Sequence, residues 1–153
     1  MGHSYYKNYG HLVYHVKNMN IRTSDLPDVH DFLFGELRRL GGKSIVIGGI
    51  GNHVHILCDF PITRTIPDVV QRVKAHSSAW IKHKHPGYAR FAWQTGYAFF
   101  SVSASQYDRV STYIQGQREH HLKENAEQEY RRLLAKHGIE IDPRDDIWSI
   151  RPM

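Results

Sequence analysis

The sequence holds a single cysteine, Cys58, so no disulfide can form within the chain. That suits a reducing compartment. No apolar run approaches the ~20 residues of a spanning helix. The opening "MGHSYYKNYGH" has no charged-then-apolar export pattern. A cytoplasmic protein with no membrane partner is therefore expected. Repeats, low-complexity tracts and dividing linkers are missing as well, so residues 1–153 are expected to form one domain. With 41% hydrophobic and 23% charged residues, the composition is that of a globular chain long enough to bury a core. Acidic residues are in deficit, 15 against 20 Lys and Arg, for a formal charge of +5. That permits a polyanionic partner without requiring one. Histidine is in surplus, with 12 residues able to bind metal or titrate near neutral pH.

Hydrophobic periodicity orders the chain. "GHLVYHVKN" alternates, with Leu12, Tyr14 and Val16 on one face and His11, Val13, His15 and Lys17 on the other, which predicts a strand. In "TSDLPDVHDFLFGELRRLGG", Val29, Phe32, Leu33, Leu37 and Leu40 recur at helical spacing. Ser24 or Asp25 is a candidate cap and Gly41 a stop. "KSIVIGGI" and "HVHILC" follow as strands around a Gly51–Asn52 turn, and so should pair as an antiparallel hairpin. "TIPDVVQRVKAHSSAWIKHKH" predicts a second helix, with Thr65 and Asp68 spaced as a capping box. "GYAFFSVS" gives a fourth strand. A third helix is expected over about 106–124, with Ser105 and Asp108 spaced as another box. A last helix ends at Gly138, within a C-terminal segment 125–153 whose tail should dock. The order β-α-β-β-α-β is the ferredoxin-like pattern, here an α+β sandwich with added C-terminal helices. It puts "HVHILC" in the sheet centre beneath helices on one face. The topology names no function by itself.

Two His-x-His pairs occur, His53-Val54-His55 and His83-Lys84-His85. At a histidine frequency of ~0.08, chance alone supplies about one such pair, so spacing proves nothing. Context separates them. At a helix end, i and i+2 side chains diverge by about 200°, so the second pair reads as solvated surface. On a strand, i and i+2 share a face, so His53 and His55 can reach one ion, with Val54, Ile56 and Cys58 turned to the core. A third ligand must come from elsewhere. Tyr113 and Gln117 are spaced i, i+4 on the third helix, on the flank of its stripe Tyr107, Val110, Ile114 and His121. Either residue is equally at home as amphipathic or plain surface. Joined to the pair, however, Gln117 completes a neutral N/O set with open positions, suited to Mg²⁺ or Mn²⁺ rather than to a closed zinc site. Tyr113, one turn away, is then placed to attack a polarised phosphodiester.

"NHVHIL" followed some 60 residues later by "YIQGQ" resembles the single-tyrosine HUH transposases of small insertion sequences, the insertion-sequence-200-like TnpA class. "YGHLVYHVK", "VVQRVKAHSSAWIK" and "WQTGYAFFSVS" are similar to other family segments in the same order, and "REHHLKENAEQEYRRLLAKHGIEID" resembles the tail of one branch. The resemblance spans about residues 10–145. It implies Tyr113 as nucleophile and His53, His55 and Gln117 as ligands of Mg²⁺ or Mn²⁺. It also implies cleavage and rejoining of single-stranded DNA at hairpin-marked ends, through a 5′-phosphotyrosine and a free 3′-hydroxyl. Family members act as homodimers in which the tyrosine helix of one copy can serve the other in trans. Where many relatives carry an aspartate before the first histidine, this chain has Asn52, which adds no charge. Lys74, Arg72 and Arg118 are candidate DNA contacts beside the ordinary reading of solvated charge. Trp93 and Tyr97 can stack bases but suit the core better. His120 and His121 are expected to be structural.

Two other readings stay open. One is a domesticated, repeat-associated relative that nicks hairpin DNA. The other is a ferredoxin-like binding module without catalysis. A metal hydrolase of small substrates is disfavoured, since no carboxylate is expected beside the pair.

Overall fold

The computed structural model describes residues 2–144, 146 and 148. Four strands form one antiparallel sheet: β1 (Tyr9–His15), β2 (Lys43–Ile50), β3 (His53–Asp59) and β4 (Ala98–Ser101). Their order is β2-β3-β1-β4, that of a ferredoxin-like sheet, with the predicted hairpin joining β2 and β3. β1 and β3 are central and antiparallel, and their register sets Val13 opposite His55 and His15 opposite His53.

Helices cover both faces, not one. α1 (Leu26–Arg39) and α2 (Ile66–Lys84) bury the face carrying Leu12, Tyr14, Val54, Ile56 and Cys58. Burial there pushes the Cys58 thiol up to about 12, which makes it an inert apolar group. On the other face, Val13, Ala98 and Phe100 pack against Leu133 and Leu134 of α5 (Ala126–Lys136). All seven β3 residues are consequently buried. The cause is the C-terminal extension. It supplies a second apolar helix stripe, and the sheet's remaining face must be covered by something.

The expected third helix is two. α3 (Tyr107–Gln115) ends at Gly116, and a single turn, α4 (Gln117–His120), follows. Residues 104–106 form a 3₁₀ turn, and Ser105 caps nothing, because the helix proper begins at Tyr107. Nor do Ser24 and Asp25 cap α1; Asp25 Oδ2 instead accepts from the Tyr88 hydroxyl at 2.6 Å. Thr65 caps α2 by accepting from the Asp68 N–H, but the Asp68 carboxylate turns to Arg64 and Arg72, so that box is half formed. The complete box is at α5, between Asn125 and Gln128. Part of the tail docks as expected. Ile141 packs on the second core, and Trp148 meets the rings of His15 and Tyr130 edge-on or tilted. Residues 145, 147 and 149–153 lie outside the described residues. No helix among the described residues is long and apolar enough to cross a membrane.

Gly48 sets the distance between α3 and the sheet. It pairs with His55, and a Cβ there would sit 2.1 Å from the Ile114 carbonyl oxygen. Only a residue without a side chain lets α3 lie this close to β2. Gly48→Ala is expected to destabilise the protein by about 1–3 kcal/mol, as overpacking does. An unchanged thermal midpoint would contradict so close an approach.

Candidate metal and tyrosine centre

β3 aims His53 and His55 at the α3/α5 face, as strand parity requires. Both are buried, at 2% and 0% exposure. Gln117, at the start of α4, is 1% exposed and brings Oε1 within 3.0 Å of His53 Nε2. Its alternative as plain surface is therefore ruled out by position. The break at Gly116 still leaves Tyr113 on the same side, with its ring 5.8 Å from that of His55.

Both ligand imidazoles have a partner on their rear nitrogen. His53 Nδ1 faces Asn52 Oδ1 at 2.7 Å, and His55 Nδ1 faces His11 Nε2 at 2.7 Å. Asn52 thus supports the first histidine without adding charge. Partners of this kind fix ring orientation and tautomer. With Nδ1–H donated to Asn52, His53 Nε2 keeps its lone pair, directed at the amide oxygen of Gln117. The amide orientation that turns Oε1 inward leaves Nε2 of Gln117 buried without a partner. That costs about 1–3 kcal/mol, which a cation on the oxygen would offset.

Burial lowers His11 to about 3, with the neighbouring His55 adding to the effect. It also lowers His15 to about 3 and His55 to about 4. These rings are neutral near pH 7, the form that ligates metal.

A carboxylate does stand beside the pair, contrary to expectation. Glu129 of α5 is 0% exposed. Its Oε1 lies 2.7 Å from His55 Nε2 and 3.3 Å from His53 Nε2. Its Oε2 accepts from the Tyr113 hydroxyl and lies 3.3 Å from His121 Nε2. Burial pushes this carboxyl up, but hydrogen bonds from His53, His55 and Tyr113 outweigh it and hold the group ionised, below its ordinary range. His121 also contacts Gln117 Oε1 at 2.8 Å, so it belongs to the centre rather than to the scaffold alone. His120 meets Glu124 at 2.6 Å. Ligand atoms of His53, His55, His121 and Glu129 all lie within 4.8 Å of one another. Imidazole nitrogens with amide and carboxylate oxygens are a donor set fit for a divalent ion.

The tyrosine is held from two sides. Its hydroxyl donates to Glu129 and accepts from Arg132 Nη2 at 2.9 Å. Burial raises its pKa above the usual tyrosine value. The Glu129 hydrogen bond adds to this, and the Arg132 charge opposes it. A cavity of about 510 Å³ opens beside it, lined by His11, Phe100, Arg109, Arg132 and Lys136 among others.

The basic residues singled out in the sequence are not brought together. Arg72 pairs with Asp68 on α2, across the sheet from the tyrosine. Lys74, also on α2, donates to the carbonyls of Gln94 and Gly96 and sits over the Tyr14 ring. Burial lowers it to about 8. Arg118 is exposed on α4. Trp93 is core and donates to Ser77 Oγ at 2.9 Å.

Residues unmarked by the motif reading had unequal signals. His11 and His15 share strand parity on β1, which was legible. Glu129 and Arg132 are i, i+3 on a helix far along the chain, and nothing local ties them to β3.

Fold and centre together define an α+β sandwich with a metal-type donor set and a tyrosine hydroxyl on one sheet face. The model of the family described as IS200-like transposase matches residues 4–117. The chain belongs to this family, and it is a transposase. Among solved structures, a candidate transposase from Deinococcus radiodurans R1 is 22% identical with a TM-score of 0.58, over 76% of this chain and 96% of the other. A REP-associated tyrosine transposase bound to a REP hairpin is 12% identical with a TM-score of 0.53, over 74% and 70%. Both likenesses are of fold. No functionally curated protein matches the chain.

Proposed function

We propose that this transposase cuts and rejoins single-stranded DNA at hairpin-marked ends, with Tyr113 as nucleophile and Mg²⁺ or Mn²⁺ held by His53, His55 and Gln117. The convergence of the Tyr113 hydroxyl on the His53/His55/Gln117 donor set carries this reading. A divalent ion in such a set supplies Lewis-acid polarisation of a phosphoryl oxygen. Tyr113 Oη forms a bond to phosphorus, and the bond from phosphorus to the 3′ oxygen breaks. A 5′-phosphotyrosine and a free 3′-hydroxyl result, and the reverse attack rejoins strands without ATP. The phenolic proton has an acceptor in place, Glu129 Oε2. The Arg132 guanidinium beside the same oxygen favours the anion that forms.

Arg109, Arg132 and Lys136 around the cavity give the incoming backbone a cationic wall, to which exposed Arg118 adds charge. The hairpin substrate is supported by the fold likeness to a protein bound to a REP hairpin. A homodimer with exchange of the tyrosine helix follows from the resemblance. In one chain Tyr113 already reaches its own histidines, so cis assembly needs no second copy.

The test is covalent capture. A single-stranded hairpin oligonucleotide from the ends flanking the gene, with Mn²⁺, should give a detergent-resistant protein–DNA adduct. EDTA should prevent it, and fully duplex DNA should not form it. Persistent absence of adduct with either ion would refute the reading.

A further inference from the structure

We infer that Glu129 is itself a ligand of the divalent-ion centre, a carboxylate delivered by α5 from beyond the family-matched segment. The inference rests on the metal reading above and deepens it. The family match ends at Gln117, twelve residues before Glu129, so membership assigns this residue nothing.

Its placement is what a ligand requires. A fully buried carboxylate is costly unless paired with charge. Among the described residues, the ion-pair partners of Glu129 are all histidines: His53, His55, His120 and His121. The one nearby guanidinium, Arg132, is spent on Glu124 and on Tyr113. The buried negative charge therefore faces ligand-type nitrogens with no fixed cation against it. Oε1 lies at the mouth of both ligand imidazoles.

The helix that carries it is anchored. The Asn125–Gln128 capping box fixes its first turn, and Leu133 and Leu134 bury its face on the sheet. Glu129 thus sits on a rigid element, as ligands do. An anionic oxygen also changes the chemistry of the site. Two imidazoles and an amide oxygen are neutral, and a carboxylate shifts preference toward hard ions such as Mg²⁺ and Mn²⁺. Because Oε2 accepts from Tyr113, ligation by Oε1 would tie the tyrosine to the ion through one side chain.

Mn²⁺ binding by calorimetry decides this without reference to activity. Wild type is compared with Glu129→Gln, with Glu127→Gln and with the His53→Ala/His55→Ala pair. Glu127 loses the same charge from the same helix, where it pairs with Arg131 instead. We expect Glu129→Gln to weaken Mn²⁺ more than fivefold and Glu127→Gln to leave it unchanged. A loss of fivefold or less in Glu129→Gln, or any tightening, overturns the inference. Tightening would make Glu129 an occupant that the ion displaces. Equal weakening in Glu127→Gln would mark a diffuse charge effect and overturn it too. If the histidine pair variant binds as well as wild type, the metal centre itself is refuted, a separate result.

Should Glu129→Gln fail to fold, ¹³C-glutamate-labelled wild type gives the answer. Mg²⁺ should shift one carboxylate stretch in the infrared difference spectrum. A flat spectrum in that region overturns the inference.

Discussion

Tyr113→Phe should abolish covalent capture of single-stranded DNA while leaving the fold and Mn²⁺ binding in place. The substitution removes one oxygen. The ring keeps its edge-on contacts with His11, His55 and His120. Glu129 loses the phenolic donor but retains His55 at 2.7 Å, and Arg132 retains Glu124. Stability should therefore change by only about 1 kcal/mol, the net value of a typical hydrogen bond. The reaction loses its nucleophile outright, and adduct formation should fall by ~1,000-fold or more, as in other enzymes with covalent intermediates. Denaturing gels of protein with labelled oligonucleotide read the adduct, and calorimetry reads the ion. Adduct at wild-type levels would move the nucleophile elsewhere. Tyr107 is a natural comparison. Its hydroxyl donates to the Ser44 carbonyl at 2.8 Å, away from the histidines, so Tyr107→Phe should keep adduct formation.

The second large effect belongs to the histidine pair. His53→Ala/His55→Ala should eliminate measurable Mn²⁺ binding and adduct together. Loss of even a supporting partner costs ~10–100-fold in metal affinity; loss of two direct donors should exceed that. The same variant should melt earlier, for a reason apart from the cavities left by two rings. Glu129 loses its contacts at 2.7 and 3.3 Å and stays buried. An uncompensated buried charge costs about 3–5 kcal/mol. Adding Glu129→Gln to the pair variant should then raise its melting temperature, because it neutralises the stranded charge. If the triple variant melts no higher than the double, Glu129 is not held by these two imidazoles.

Much of the architecture was legible locally. Alternation in "GHLVYHVKN" and "HVHILC" marks strands because side chains on a pleated backbone repeat every two residues. The turn at Gly51–Asn52 fixes the β2–β3 hairpin, and the same parity places both ligand histidines on one face. The i, i+4 spacing of Tyr113 and Gln117 survives even a break in the helix. Glycine signals were read less well. Gly116 divides α3 from α4, and Gly48 admits α3 to the sheet. Neither fact is visible in a helical or strand pattern, because each depends on what lies across from the glycine.

The sequence by itself determined the order of elements, the parity of His53 and His55, and membership in a transposase family. Those follow from periodicities within a few residues and from motifs in fixed order. Only the tertiary structure decided that helices cover both sheet faces, that Arg72 and Lys74 lie apart from the tyrosine, and that Glu129 enters the centre. Seventy-four residues separate Glu129 from His55. Their meeting depends on α5 burying Leu133 and Leu134 against Val13 and Phe100, a packing term no local pattern encodes.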